Sequence, residues 1–181
     1  MNKTQQLQTA VFGSGCFWCA EAIFGQLKGV ESVTPGYSGG HTSSPTYQQV
    51  CSDTTGHAEV VKIEYDPSII AYHDLLEIFW QTHDPTTPDR QGNDIGSQYR
   101  SVIFYADEQQ MHAAQSLLSE LEKSRAFSVP IVTEIVPLVN FYPAEEYHHN
   151  YFARNQNQPY CRMVVSPKVA KFKKKFGEKI R

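Results

Sequence analysis

The sequence lacks any long hydrophobic run: no uncharged apolar stretch approaches the roughly 18 residues that a membrane-spanning helix requires. Residues 1–8 are polar and do not contain the apolar core of a secretory signal. Cysteine is also scarce, because four cysteines in 181 residues are too few for a disulfide scaffold. We therefore expect a cytoplasmic protein in which each cysteine is reactive, metal-binding or simply buried.

Apolar residues, by contrast, make up 40% of the chain, which is enough for one domain with a core. Strand and helix patterns alternate without internal repeats, which indicates a single α/β (α+β) domain over residues 1–181. We expect a central mixed sheet flanked by helices, with residues 1–8 and 168–181 as terminal extensions. The predicted strands are residues 9–13, 30–36, 60–65, 101–105 and 131–139, the predicted helices are residues 17–27, 72–82, 108–123 and 144–154, and the long loops expected around an active site are residues 37–47 and 83–98.

Basic charge is concentrated at the C-terminus. The formal net charge is −3, yet residues 168–181 contain seven basic residues and one acidic residue, which gives this segment +6 and leaves −9 for the rest. Such a tail could bind a nucleic acid or an anionic membrane. The spacing of Val169, Phe172 and Phe176, however, predicts one apolar helix face docked on the body. We favour the docked helix and expect a monomer without a nucleic-acid or membrane partner.

The segment GSGCFWC (13–19) is the sharpest local feature. A glycine turn after a predicted strand places Cys16 at the start of a helix, where unpaired N–H groups and the helix dipole favour the thiolate. The glycines would let a substrate approach the backbone, and Phe17 and Trp18 would form an apolar wall beside the sulfur. The alternative is that Cys16 and both rings are ordinary core residues.

Cys16 and Cys19 form a C-x-x-C pair, which indicates a redox dithiol or half of a zinc site. Zinc would need two further ligands, for which Cys51, Cys161 and His57 are the candidates. Because the sequence contains no second C-x-x-C and no H-x-x-H, we expect no metal. A non-catalytic zinc or redox-sensing module remains the competing hypothesis from another class.

Two polar segments contain further candidates. Glu59, in TGHAE, begins an apolar strand, where desolvation would raise the pKa of its carboxyl group and make it a general acid. Asp94 and Tyr99, in RQGNDIGSQYRS, would offer an acceptor and a phenolic donor, and Tyr47 a second phenol. Taken alone, Glu59 is better explained as a surface carboxylate or as a salt-bridge partner of a lysine or arginine. The alternative for Asp94, Tyr99 and Tyr47 is that they cap turns and pack edges. Likewise, we expect His57 to be a satisfied loop histidine, and Glu145 with His149 to stabilise a surface at helical spacing.

Five stretches occur together and in order: GCFWC (15–19), PTYQQVCSDTTGHAE (45–59), HDPTTPDRQGNDIGSQYRS (83–101), FYPAEEYHHNYF (141–152) and NQPYC (157–161). Over these stretches the chain closely resembles the peptide methionine sulfoxide reductase A family. The resemblance implies a thiol reductase for the S epimer of methionine sulfoxide, free or in proteins. It also implies that no metal or organic cofactor is needed, and that thioredoxin or a similar dithiol restores the enzyme.

The resemblance also implies roles for the matching residues. Cys16 would be the nucleophile and Glu59 the acid that protonates the sulfoxide oxygen. The substrate methyl would pack on Phe17 and Trp18, and the oxygen would lie in a polar pocket formed by Tyr47, Asp94 and Tyr99.

The resolving cysteine is less sharply assigned. In the family, a cysteine in a late Tyr-Cys context commonly resolves the sulfenic acid, and Tyr160-Cys161 matches that context. Many members carry a further downstream cysteine that is absent here, and many have glycine where this chain has Cys19. We expect Cys161 to resolve, with Cys19 as its rival because of the C-x-x-C spacing, and Cys51 to be structural.

Overall fold

A six-stranded mixed sheet forms the centre of the computed structural model, which describes residues 6–181. In this sheet the strand order is β7-β6-β1-β3-β2-β8, and only the β6–β7 pair is parallel. The predicted mixed sheet is therefore confirmed. The strands, including a separate hairpin of β4 and β5, are β1 (Gln8–Ser14), β2 (Val30–Ser38), β3 (Ala58–Tyr65), β4 (Arg90–Gln91), β5 (Asp94–Ile95), β6 (Ser101–Tyr105), β7 (Glu134–Pro137) and β8 (Tyr142–Pro143).

Helices flank the sheet and bury apolar faces against it. The helix predicted over residues 72–82 is present as α3 and buries an apolar face, because Leu75, Leu76, Phe79 and Trp80 are all at most 1% exposed. The loop after β2 contains a short helix, α2, that the sequence pattern did not predict. The helices are α1 (Phe17–Phe24), α2 (Tyr47–Cys51), α3 (Tyr72–Gln81), α4 (Glu108–Lys123), α5 (Tyr151–Arg154) and α6 (Ser166–Phe176).

The basic C-terminal segment is integrated into the domain. Val169, Phe172 and Phe176 lie in the hydrophobic core, so the predicted docking of this helix is confirmed. After α6, Lys179 forms a 2.7 Å ion pair with Asp74 of α3. No helix within residues 6–181 is long and apolar enough to cross a membrane. At the other end of the chain, Gln8 opens β1, whereas residues 1–5 of the predicted N-terminal extension lie outside the described residues.

Residues 144–154 do not form the predicted helix. The chain leaves β8 and makes a 3₁₀ turn at Glu146–His148. It then continues into the four-residue α5. Asn150, in the left-handed region at φ 52°, interrupts the helical path between these two turns. The strand predicted over residues 131–139 is also shorter, because only Glu134–Pro137 pairs with β6.

Candidate active site

The predicted site residues come from segments that meet at one end of the sheet. Because β1 runs antiparallel to β3 and β6, its C-terminal end lies beside the starts of both strands, with Ser14 opposite Ser101. β2 is antiparallel to β3, which places Tyr37 opposite Glu59. The turn after β1, the start of β3, the loop before β6 and the segment after β2 are therefore neighbours. They carry Cys16, Phe17, Trp18, Tyr47, Glu59, Asp94 and Tyr99.

The turn that presents Cys16 depends on Gly15. This glycine has φ 91°, and a Cβ added to it would lie 2.6 Å from Cγ of Gln91. Gln91 is fixed in that space, because its Oε1 accepts from the Asp84 amide at 3.0 Å and its Nε2 donates to the Asp84 carbonyl at 2.8 Å. A Cβ on Gly13 would likewise meet Val102 at 2.7 Å. In the Cβ direction of both glycines, the space is therefore filled by neighbouring side chains of the protein itself.

Cys16 caps α1 at its N-terminus, as predicted, and is 6% exposed. The expected preference for thiolate is not met in this state. Burial, together with a hydrogen bond and charge interaction with Cys19, raises the pKa of Cys16 well above its usual value. Hydrogen bonds from Tyr160 and from the Trp18 amide act in the opposite direction and are outweighed. Cys16 therefore rests as a buried thiol.

Glu59 is a buried acid directly beside this thiol. It is 1% exposed, and its Oε2 accepts a 3.1 Å hydrogen bond from the amide of Phe17, the first residue of α1. Burial, and then the charges of Cys16 and Asp94, raise the pKa of Glu59 well above its usual value. The predicted desolvation is thus confirmed, and burial favours the neutral carboxylic acid form of Glu59.

Three tyrosine hydroxyl groups lie around the Cys16 thiol and the Glu59 carboxyl group. Burial and the charge of Glu59 raise the pKa values of Tyr47 and Tyr99, so both remain hydrogen-bond donors. The third phenol, Tyr160, was not singled out from the sequence. It donates a 2.6 Å hydrogen bond to Oδ2 of Asp94 and also contacts the sulfur of Cys16. Its position next to Cys161 was the one sequence signal that pointed toward the site.

The apolar side of the site is built around Trp18. Its indole stacks on Tyr151, with ring centroids 3.7 Å apart and planes 7° apart. Trp18 Nε1 donates a 3.0 Å hydrogen bond to Nδ1 of His148, which is fully buried and lies 4.9 Å from the ring of Phe17. Burial lowers the pKa of His148 to about 4, so the ring is neutral and its proton is on Nε2. The sequence analysis did not identify Tyr151 and His148 as site residues. Both lie in the segment predicted as one helix, and that prediction did not indicate that their side chains face the site.

Glu145 stabilises the apolar side of the site, whereas the sequence predicted that it would pair with His149 on a surface helix. Its carboxylate accepts hydrogen bonds from the Tyr37 hydroxyl at 3.0 Å and from the Tyr47 amide at 3.1 Å. These contacts tie the turn after β8 to the start of α2. His57 does match its prediction, because Nδ1 accepts from the Gly40 amide and Nε2 lies 2.7 Å from the Thr42 carbonyl.

The four cysteines occupy different environments. Cys19 lies one helical turn after Cys16, and the hydrogen bond between their sulfurs lowers the pKa of Cys19. Cys161 is fully buried in a π-helical turn at Cys161–Val165, where burial and the charge of Cys16 raise its pKa. Cys51, at the end of α2, is exposed. Over residues 6–181, His, Cys, Asp and Glu side chains form no group of three or more that could hold a metal ion.

Two hydrogen-bonded thiols beside a buried carboxyl group supply a nucleophile, a second thiol and a proton donor, the groups that a thiol-dependent oxidoreductase uses. The family model described as peptide methionine sulfoxide reductase matches residues 8–180. A curated relative from Sulfolobus acidocaldarius, peptide methionine sulfoxide reductase MsrA, is 54% identical over 96% of this chain and 97% of its own length. The chain belongs to the peptide methionine sulfoxide reductase A family.

Solved structures agree with this assignment. Methionine sulfoxide reductase A of Corynebacterium diphtheriae is 35% identical, with a TM-score of 0.80 over 86% of this chain and 78% of that one. Reduced Mxr1 from Saccharomyces cerevisiae is 30% identical, with a TM-score of 0.79 over 89% of this chain and 92% of that one. Mxr1 has also been solved in complex with Trx2. The fold, a mixed sheet flanked by helices, is therefore that of the family.

Proposed function

We propose that this peptide-methionine (S)-S-oxide reductase begins its reaction with a proton transfer from Glu59 to the sulfoxide oxygen. A sulfoxide sulfur is a poor electrophile while its oxygen would have to leave as an anion, and a neutral acid removes that barrier. The observation that carries the proposal is the burial of Glu59 beside Cys16, which raises the pKa of the carboxyl group and favours its protonated form. Phenol donors from Tyr47 and Tyr99 then stabilise the charge that develops on the oxygen.

In the same step the proton of the Cys16 thiol passes to Glu59, and the sulfur attacks the sulfoxide sulfur. Oxygen moves from methionine to cysteine, so that methionine sulfur is reduced by two electrons and Cys16 is oxidised to the sulfenic acid. No net charge is created in the buried site, which suits two groups whose pKa values are both raised by burial. The substrate methyl packs against Phe17 and Trp18, and methionine departs.

We propose Cys19 as the thiol that resolves this sulfenic acid, in place of the Cys161 expected from the family. Cys19 already hydrogen-bonds to Cys16, and that bond lowers the pKa of Cys19 and favours its nucleophilic form. Residues three apart at the start of a helix also lie within the Cα separation that a disulfide needs. Cys161 is buried as Cys19 is, but burial raises its pKa. Condensation of the sulfenic acid with the second thiol forms the disulfide and releases water.

One turnover with methionine-(S)-sulfoxide and no reductant tests both the function and the resolver. We expect one equivalent of methionine per protein and a disulfide within the tryptic peptide of residues 4–28, which becomes lighter by two hydrogen atoms. A peptide pair that joins residues 4–28 to residues 155–162 would instead identify Cys161. As a matched pair, Cys19→Ser should keep this single turnover but lose steady-state cycling, whereas Cys161→Ser should keep both.

The second half of the cycle needs an external dithiol. Neither a metal nor an organic group takes part in the steps above, and the disulfide is returned to two thiols by exchange. Support for a thioredoxin-type reductant comes from the yeast relative Mxr1, which has been solved with Trx2. The cycle therefore requires a compartment that supplies such a reductant, and the substrates are oxidised proteins and free methionine sulfoxide.

His148 should control substrate binding through Trp18. Replacing His148 by leucine removes the acceptor for the indole N–H, a hydrogen bond worth about 1 kcal/mol. We expect KM for the sulfoxide to rise about 5-fold while kcat changes less. His148→Gln, which can still offer an acceptor, should recover part of that loss. Equal KM values in the leucine variant and the wild type would show that His148 does not position the substrate.

A further inference from the structure

A cleft of about 450 Å³ lies behind the turn that presents Cys16, within the size range of peptide and small-ligand sites. Its walls are the C-terminal end of α3, the loop around Asp84 and Gln91, residues 127–129 and one face of α6. Phe127, Val129 and Phe172 give it an apolar floor. We call this cleft the α6 groove.

The α6 groove is positively charged. Lys168, Lys171 and Lys175 line it from successive turns of α6, at spacings of three and four residues that place them on one face. Lys168 is half-buried, yet within residues 6–181 it has neither a hydrogen bond nor an ion pair. The one acidic lining residue, Asp84, is engaged locally, because its Oδ1 accepts from the Thr86 amide at 3.0 Å. Three lysines therefore face a single carboxylate in a concave surface, and none of the ion pairs found within residues 6–181 involves them.

The groove also adjoins the cysteine centre. Gln91 lines it and packs directly against Gly15, next to Cys16. From its other wall, the charge of Lys168 lowers the pKa of Cys19. A chain segment in the groove would thus lie a short distance from the sulfoxide that reacts at Cys16.

We propose that the α6 groove binds an acidic segment of an oxidised protein substrate, with Asp or Glu side chains on the lysines and their stems on the apolar floor. This inference rests on the proposed reductase function and adds a preference among protein substrates. A nucleic acid is disfavoured, because the chain outside residues 168–181 carries −9 and would repel an extended polyanion. A concave cleft also suits an extended segment better than the convex face of a folded reductant.

The test uses three blocked peptides in which methionine-(S)-sulfoxide is flanked on both sides by glutamate, glutamine or lysine, with dithiothreitol as the reductant. At low salt we expect kcat/KM for the glutamate peptide to exceed that for the glutamine peptide about 5- to 10-fold. This preference should shrink as salt screens the charges. The double variant Lys171→Glu with Lys175→Glu should lose or invert it.

Lys174→Glu is the matched control, because it makes the same charge change on α6 at a position that does not line the groove. Lys174→Glu should keep the preference, and free methionine sulfoxide should be reduced at the same rate by all variants. Equal kcat/KM for the three peptides in the wild type, or an equal change in both kinds of variant, would overturn the proposal. So would a double variant whose only defect is a raised KM for thioredoxin. If free methionine sulfoxide is not reduced at all, it is the proposed function that fails.

Discussion

Replacing Cys16 by serine is expected to lower methionine-(S)-sulfoxide reduction by at least about 10⁴-fold, to the level without enzyme. A serine hydroxyl fits the same buried space and can keep the hydrogen bonds that the thiol makes with Cys19 and Tyr160. It cannot, however, accept the oxygen as a sulfenic acid, so the first half of the cycle has no acceptor. Neither steady-state nor single-turnover assays should therefore detect methionine formation. A variant of the resolving thiol differs, because it should keep the single turnover.

Cys51→Ser is the matched control for this experiment. It makes the same substitution at an exposed cysteine that we have given no part in the cycle, so activity should stay close to that of the wild type. Methionine formation by the Cys16→Ser variant at more than a trace rate would refute Cys16 as the nucleophile. Unchanged far-UV circular dichroism in both variants would show that any loss is chemical.

The second large effect is expected from Glu59→Gln, which should slow the reductive step by about 10²- to 10⁴-fold, the usual span for general acid catalysis. Glutamine keeps the size of the side chain, and its amide oxygen can still accept from the Phe17 amide. It has no acidic proton for the sulfoxide oxygen. Because the resolving thiol is untouched, the loss should appear in single-turnover rates, and an unchanged rate would remove Glu59 from the role.

The raised pKa of Glu59 also predicts a pH dependence of stability. The unfolded state releases this proton at a lower pH than the folded state does, so the folded state binds more protons between the two pKa values. The free energy of unfolding should therefore fall as pH rises from the unfolded pKa of Glu59 toward its folded pKa. Glu59→Gln cannot ionise and should flatten this dependence. Thermal unfolding of both proteins across that pH range measures the difference, and identical slopes would contradict a buried, protonated Glu59.

Much of this protein could be predicted from short stretches of sequence. Alternating strand and helix patterns indicated the mixed sheet and its flanking helices, because periodicity reports which face of an element is buried. The apolar spacing of Val169, Phe172 and Phe176 similarly predicted the docked C-terminal helix. The motifs around Cys16 and around Glu59 could each be recognised from the sequence, because the informative residues of each motif lie within a few positions of each other. The helix predicted over residues 144–154 failed, since pairing of β8 with β2 and the backbone at Asn150 override local propensity.

What required the tertiary structure was every property that depends on residues far apart in the chain. Charge and desolvation act through space, so no local pattern shows that Cys16 rests as a thiol or that Glu59 is its close neighbour. The same holds for Tyr160 against Asp94 and for His148 against Trp18, pairs separated by 66 and 130 positions. It holds also for the scarce cysteines, since Cys19 and Cys161 are both buried and the hydrogen bond to Cys16 is what distinguishes Cys19. The residues carry the chemistry, and the antiparallel pairing of β1, β2, β3 and β6, which brings four distant segments to one end of the mixed sheet, determines which residues act together.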